Sequence, residues 1–287
     1  MKKVPFCDLH IHSSRSDGTC SPKEIARLAK KSGLCAAALT DHHTVRGVPD
    51  FLSEAKKLKI EAIPGIEIAA EYQGKEVHIL GLYLPEKNLS AIETWMNERR
   101  QRKREKYIAL AENLQKAGYP ICFEDLQKRF PHSEINRAHF GAFLTEKGIT
   151  SSTAEALRTV LHEKNGFYTP PPRPYYRDVI EKIRNFGGIA VLAHPLLNIP
   201  KEMLEEYFTQ AKACGACAAE TRYSLYTEND EKTVAMLAKK TGLLESGGSD
   251  FHGEIKPTIS LGTGTGNLRV PYAFAEKLKH AAATATS

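Results

Sequence analysis

Asp8-Leu9-His10-Ile11-His12 sets two imidazoles two residues apart. In an extended chain, side chains at that spacing project from one face, so both can reach a single cation. The same kind of polar group recurs along the sequence: Asp17 in Ser16-Asp17-Gly18, Asp41 and His42 in Thr40-Asp41-His42-His43, Glu67 after Gly65-Ile66, and His78. It recurs again at Ala193-His194-Pro195 and at Gly248-Ser249-Asp250-Phe251-His252. Imidazole with carboxylate, without thiolate, is a ligand set for hard or borderline divalent metals. A lone histidine is most often a core or surface side chain, and a lone aspartate between serine and glycine a turn residue. Acids and imidazoles gathered repeatedly behind apolar runs are different, because burying them is costly unless they are paired or metal-bound.

Other chemistries find less support. Gly262-Thr-Gly-Thr-Gly266 matches neither a dinucleotide fingerprint nor a P-loop and reads as a loop, and Gly247-Gly-Ser249-Asp-Phe251 lacks the second glycine of a serine-nucleophile elbow. Cys214-Gly-Ala-Cys217 has no second CxxC to complete a zinc ribbon, so the six cysteines read as reduced thiols. His43, His132, His139, His162 and His280 sit away from clear strand ends; His139 is the best candidate among them for a role.

The elements that must position these residues alternate. Val4 to His12 is a short apolar run ending in polar residues. Ser21-Pro22-Lys23-Glu24 then starts a helix, with serine at the cap, proline in the first turn, and glutamate closing a capping box, and Gly33 ends it. Cys35–Leu39 predicts a strand, Val48–Leu58 a helix and Ile60–Pro64 a strand; Ile68–Ala70 and Lys75–Leu84, parted by Tyr72-Gln73-Gly74, predict a hairpin carrying His78. The rhythm resumes with a helix over Tyr176–Asn185 and strands over Ile189–Ala193, Ala216–Glu220 and Leu243–Gly247. Asp8, Asp41, Glu67, His194, Glu220 and Asp250 thus fall at or just past the carboxyl ends of predicted strands, the face that carries chemistry in β/α barrels. Between about Ser90 and Lys164 the sequence is long, charged and helical, which predicts an insertion, with Pro170–Pro174 as a stiff return linker. The expected organisation is a barrel over 1–95 and 171–287 and a helical insertion over 96–170.

The chain has 287 residues, 41% of them hydrophobic, enough to bury a large core, and its net charge of +6 favours anionic ligands without requiring nucleic acid. No run approaches the roughly 20 apolar residues of a membrane span, and no signal-peptide core precedes Asp8, so a cytoplasmic protein without membrane contact is expected.

Taken in order, Asp8-Leu-His10-Ile-His12-Ser13, Ser16-Asp17-Gly18, Thr40-Asp41-His42, Gly65-Ile66-Glu67, His78-Ile-Leu-Gly81, Ala193-His194-Pro195 and Gly248-Ser249-Asp250-Phe251-His252 resemble the motifs of the polymerase and histidinol phosphatase (PHP) family, over nearly the whole chain. Within it the chain is most similar to the stand-alone nucleotide phosphatase and RNase AM group. The resemblance implies an α/β fold, a distorted seven-stranded β/α barrel, with two or three divalent metal ions; manganese is favoured, with iron or zinc as the other choices. It implies one metal on His10, His12, Glu67 and Asp250, a second on Glu67, His78 and His194, and a third on Asp17, His42 and His252. Glu67 would bridge, while Asp8 and Asp41 would orient imidazoles. His43 stands where the family often carries aspartate.

In the insertion, Asn136-Arg137-Ala-His139-Phe and Lys164-Asn-Gly resemble the family segment that closes over substrate, so Arg137, His139 and Lys164 are expected to grip phosphate. The implied reaction is in-line attack on phosphorus by a water activated near Glu67, with His194 or a water protonating the leaving oxygen. The expected substrate is a small nucleotide phosphate, a 3',5'-bisphosphonucleoside or 5'-mononucleotide. The alternatives are 5'-to-3' trimming of short 5'-phosphorylated RNA, hydrolysis of histidinol phosphate, and a non-catalytic PHP module that binds nucleic acid. No obligatory protein partner is implied. The basic run Arg99–Lys106 reads first as a solvated helix face and second as a track for a nucleic-acid backbone.

Overall fold

The computed structural model describes residues 5–131, 135–169 and 173–285. Its strands are β1 (Phe6–Asp8), β2 (Ala36–Leu39), β3 (Glu61–Tyr72), β4 (Lys75–Leu82), β5 (Ile189–Ala193), β6 (Ala218–Tyr223), β7 (Leu244–Gly248) and β8 (Val270–Pro271). Helices α1 (Pro22–Lys31) and α2 (Val48–Leu58) lie between the first three strands, and α3 (Leu89–Lys116), α4 (Phe123–Arg129), α5 (Arg137–Glu146) and α6 (Thr153–Arg158) follow β4. Then come α7 (Tyr176–Asn185), α8 (Pro195–Asn198), α9 (Leu204–Ala213), α10 (Glu228–Thr241) and α11 (Tyr272–Ala285).

Local chemistry explains the boundaries. Ser21 accepts from Glu24 N while the Glu24 carboxylate reaches back to Ser21 N, so the capping box satisfies donors that the first turn of α1 would leave orphaned. α2 begins with proline in its first turn and ends on Lys59 in the left-handed region. The hairpin between β3 and β4 turns on Gln73 (φ 48°) and Gly74 (φ 75°), the two left-handed residues that a tight hairpin needs.

The strands form one sheet in the order β7-β6-β5-β4-β3-β2-β1-β8. β1 to β3 pair in parallel, as do β5 to β7, whereas β4 runs antiparallel to both β3 and β5, and β8 antiparallel to β1. The ends meet: Leu9 N donates to Gly247 O (3.1 Å), Asp250 N to His10 O (2.9 Å) and His12 N to Phe251 O (2.9 Å), so β1 and β7, prolonged beyond their ends, nearly close a barrel. The reversed β4 and the short β8 distort it from a regular β/α barrel. One expectation is corrected: β3 is a single 12-residue strand, not two pieces, because pairing with β4 from Gly65 to Tyr72 carries it past Pro64 and Gly65. Glu67 therefore lies within a strand rather than at its end.

Two apolar layers hold this frame. Ala36 and Ala38 join Cys7, Leu9, Ile63, Leu80 and Val191 in a cluster capped by Phe274 and Leu278 of α11. Ala37 and Leu39, on the other face of β2, pack with Ile25, Ala29, Phe51 and Ala55 of α1 and α2. Burial of all four β2 side chains is what a strand covered on both faces requires. Each large side chain buried this way contributes about 1.5–3 kcal/mol.

The chain divides into two compact units, one of Met1–Thr94 with Arg173–Ser287 and one of Trp95–Pro172. The second has its own core, including Tyr107, Leu110, Phe123, Phe140, Leu144 and Tyr168. His132 and the first three prolines of the expected return linker, residues 170–172, lie outside the described residues. All six cysteines are free, and among the described residues no helix is long and apolar enough to cross a membrane.

Candidate metal centre

The frame brings together every residue expected to hold a metal. His10 and His12, on the prolongation of β1, point the same way, with their Nε2 atoms 3.0 Å apart. Asp250, just past β7, turns Oδ1 toward His12 Nε2 (3.3 Å), His252 Nδ1 (3.4 Å) and His10 Nε2 (3.6 Å). Glu67 stands between two sets of imidazoles. Its Oε1 faces His78 Nδ1 (2.8 Å) and His194 Nε2 (3.1 Å), while Oε2 faces His42 Nδ1 (3.1 Å), His12 Nε2 (3.2 Å) and His10 Nε2 (3.3 Å). Asp17, half exposed, sits 3.3 Å from His252 Nε2 and 3.7 Å from His42 Nε2. His78 reaches the group although β4 is reversed, because it pairs with Ala193, next to His194.

The donor atoms form four groups, each with all members within 4.8 Å: His12, Asp17, His42 and His252; His10, Glu67 and His194; His10, His12 and Asp250; and His42, Glu67 and His78. These overlap the three expected sets but do not coincide with them, since His10 and His42 reach into neighbouring sets and His12 offers a nitrogen to each side. Its Nδ1 is buried without a hydrogen bond, 3.6 Å from Asp17. An orphaned buried nitrogen, imidazoles packed Nε2 to Nε2 and a carboxylate shared by several rings fit divalent cations better than a hydrogen-bonded core.

The electrostatics agree. Burial should drive the carboxylates neutral, yet His42, His10 and His78 hold Glu67 well below its usual range, and His10 and His12 do the same for Asp250. Burial works against a charged His10, but Glu220, Glu67 and Asp250 outweigh it and raise it well above its usual range. His12 is pushed up to about 9 against its burial by Asp250 and Glu67, and His78 up to about 10 by Glu67 and Glu76. His42 is pulled down to about 3 by burial, with its neighbouring imidazoles adding to that and Glu67 opposing it. Cations at these positions would displace the protons that the carboxylates favour on His10, His12 and His78.

Several of these residues were not given roles from sequence. Glu220, fully buried in β6, accepts from His10 Nδ1 (3.1 Å) and from His194 N (2.7 Å). Glu76 lies on His78 Nε2 (3.3 Å), Asn198 on His194 Nδ1 (3.2 Å), and the Asp250 carbonyl accepts from His252 Nδ1 (2.8 Å). Each contact fixes the far nitrogen of a ring and leaves the near one facing the centre. Tyr223 (2.8 Å) and Lys256 (2.7 Å) both donate to Asp250 Oδ2, so only Oδ1 looks inward. A carboxylate inside the otherwise apolar start of β6 was the signal that could have given Glu220 its role.

Asp8 and Asp41 differ from expectation. Asp8 accepts from Ser249 N (2.8 Å), Ser249 Oγ (2.6 Å), Gly262 N (2.7 Å) and His10 N (3.3 Å). Asp41 accepts from Ser13 N, Ser13 Oγ and Ser16 Oγ, each at 2.7 Å. Both carboxylates are buried, and these hydrogen bonds tie loop backbones and hydroxyls together rather than orienting imidazole rings. The Gly262 segment, read from sequence as a loop, supplies one of those partners through its backbone N–H.

His194 (φ 28°) and Asp250 (φ 56°) hold left-handed backbone that costs non-glycine residues about 1–3 kcal/mol each. Their own N–H groups, bonded to Glu220 and to His10 O, keep them there. Gly248 is forced by close approach, since a Cβ there would lie 2.4 Å from His10 Cβ and 2.5 Å from His10 N.

Arg137, His139 and Lys164 belong to the Trp95–Pro172 unit. Arg137 pairs with Glu163 (3.1 Å) and lies over the Tyr168 ring (5.4 Å). His139 Nδ1 accepts from Asn136 N (3.1 Å) in a capping box, and burial lowers its pKa. Lys164 is exposed and begins just after His162, whose Nδ1 accepts from Lys164 N.

Residues 8–247 match the PHP domain model. A 5'-3' exoribonuclease of Haemophilus influenzae is 31% identical, covering 85% of this chain and 89% of its own length. A 3',5'-nucleoside bisphosphate phosphatase of Chromobacterium violaceum is 28% identical over 85% of this chain and 86% of its own. Among solved structures, one described as an amidohydrolase from Chromobacterium violaceum with bound sulfate aligns with a TM-score of 0.73 and 25% identity, covering 96% of both chains.

Proposed function

The chain belongs to the PHP domain family, and from that premise we propose that it is a metal-dependent phosphoesterase acting on nucleotides. The observation that carries this reading is Glu67, whose two oxygens face separate groups of imidazoles, the arrangement needed to bridge two cations. His10, His12, Glu67 and Asp250 would hold one cation, Glu67, His78 and His194 a second, and Asp17, His42 and His252, joined by His12 Nδ1, a third. Manganese is preferred for its affinity for oxygen and imidazole donors, with iron and zinc as alternatives. Bound cations would supply charge neutralisation at the phosphoryl oxygens and acidify a water.

The side chains would do the rest. Glu220, Glu76 and Asn198 hold ring nitrogens turned inward, and Lys256 with Tyr223 restricts Asp250 to one inward oxygen. With His194 Nε2 turned to the cation it shares with Glu67 and Nδ1 held by Asn198, its ring has no proton for the leaving oxygen, which a water would protonate instead. Arg137, His139 and Lys164 are proposed as anion-binding groups of the inserted unit, with Arg137 exchanging Glu163 for phosphate.

Phosphate monoesters of nucleotides, 3',5'-bisphosphonucleosides or 5'-mononucleotides, are the preferred substrates. The second reading, 5'-to-3' trimming of short 5'-phosphorylated RNA, is supported by the likeness to the Haemophilus exoribonuclease over most of both chains. The test is product release by manganese-loaded protein from 3',5'-bisphosphoadenosine, AMP, histidinol phosphate and a short 5'-phosphorylated RNA at equal concentration. Turnover of a nucleotide or RNA is expected. Preference for histidinol phosphate, or binding of metal with no turnover of any substrate, would overturn the proposal.

A further inference from the structure

Between Arg99 and Lys106, α3 carries six cationic residues and one carboxylate, Glu105. That carboxylate accepts from Gln101 (3.2 Å). Arg102 bonds the Glu98 carbonyl and Arg104 the Gln127 amide oxygen, neither of which neutralises a charge. Arg100, Lys103 and Arg104, spaced three and four apart, share one helix face. They line a cleft of about 600 Å³ with Gln127 on α4, the carboxylate-bearing Glu98, and the buried Phe123 and Ile135 as its apolar part. The Arg104 guanidinium lies over the Phe123 ring (5.1 Å), adding to the cleft the kind of planar cation on which a base can stack. Lys103 and Arg104 present adjacent positive charges to the cleft, with which phosphates spaced along a strand would pair.

We propose that this cleft binds the phosphate backbone of single-stranded RNA, as a site built from residues other than the metal-binding ones. It rests on the reading of the chain as a nucleotide phosphoesterase, and extends that reading from single nucleotides to polymers. Two cations, Lys103 and Arg104, on a single strand correspond to a salt slope of about 1.4 in log affinity against log salt concentration.

The experiment measures binding of a labelled RNA of about 12 nucleotides with hydrolysis-resistant phosphorothioate linkages to the metal-loaded full chain, between about 50 and 200 mM salt. Lys103→Glu/Arg104→Glu should weaken binding at least about tenfold and, with both contacts removed, lower the slope by about 1.4. Turnover of 3',5'-bisphosphoadenosine should stay within about twofold, because neither residue belongs to the metal centre. Lys103→Gln/Arg104→Gln, which keeps length and polarity, carries the same test if the glutamates unfold the helix. RNA bound with unchanged affinity and slope by either folded variant, or by wild type with no salt dependence, would overturn the proposal. A failure of the phosphoesterase reading shows separately, as wild-type protein that turns over no nucleotide.

Discussion

Replacing Glu220 with glutamine tests whether the imidazole backing described above controls the centre. Glu220 receives two N–H donors, from the His10 ring and the His194 backbone, at 3.1 and 2.7 Å, with no solvent access. Glutamine keeps one oxygen, which can still serve His194 N. Its amide would then present N–H to His10 Nδ1, and the two donors conflict unless His10 changes tautomer. In that tautomer Nε2, which faces Glu67 and Asp250, carries the proton and no longer offers a lone pair. Loss of such a backing carboxylate typically costs 10- to 100-fold in metal affinity, about 1.4–2.8 kcal/mol. Alanine leaves both donors unsatisfied, and at about 1–3 kcal/mol each the fold would lose about 2–6 kcal/mol, a large part of an ordinary stability margin. Metal titration by calorimetry, with turnover measured across manganese concentrations, reads the glutamine variant; thermal melts read the alanine one. Wild-type metal affinity in Glu220→Gln would refute the reasoning.

Protonation should make stability respond to pH in opposite senses with and without metal. In the metal-free chain, His12 and His78 titrate near about 9 and about 10 rather than the ordinary 6.5, so their stabilising contribution is complete below that value and lost as pH rises through those higher ones. Melts in chelator should show this decline, while manganese, whose binding expels those protons, should stabilise increasingly over the same range; parallel curves would contradict it. Lys256→Met should leave Asp250 Oδ2 held by Tyr223 alone and, by loosening the carboxylate, lower metal affinity about tenfold, which equilibrium dialysis would detect; an unchanged affinity would remove Lys256 from the centre. Gly248→Ala places a methyl against the His10 backbone and should cost about 1–3 kcal/mol, visible as a lower melting temperature, unless β7 has room to shift.

Much of the centre was legible because its residues are expensive to bury, and their recurrence behind apolar runs singled them out. α1, with its capping box, and α2, bounded at Val48 and Leu58, were readable from local chemistry alone. The continuity of β3 was not, since Pro64-Gly65 looks like a break and only pairing with β4 carries the strand through. Nor were the tasks of Asp8 and Asp41: the partners of Asp8 at Ser249 and Gly262 lie 241 and 254 residues away, beyond the reach of any local pattern. Glu220 was visible at a strand end, but its partner His10 is 210 residues distant.

The clasp between the prolonged ends of β1 and β7 has a consequence for how the protein comes into being. His10 and His12 are synthesised 240 residues ahead of Asp250 and His252 and of the strand that fixes them. A growing chain therefore holds an incomplete set of donors through almost all of translation, and its most distant contacts must close before the centre exists. The centre therefore forms as a late event of folding, when the segment carrying Asp250 and His252 has packed back onto the prolonged end of β1.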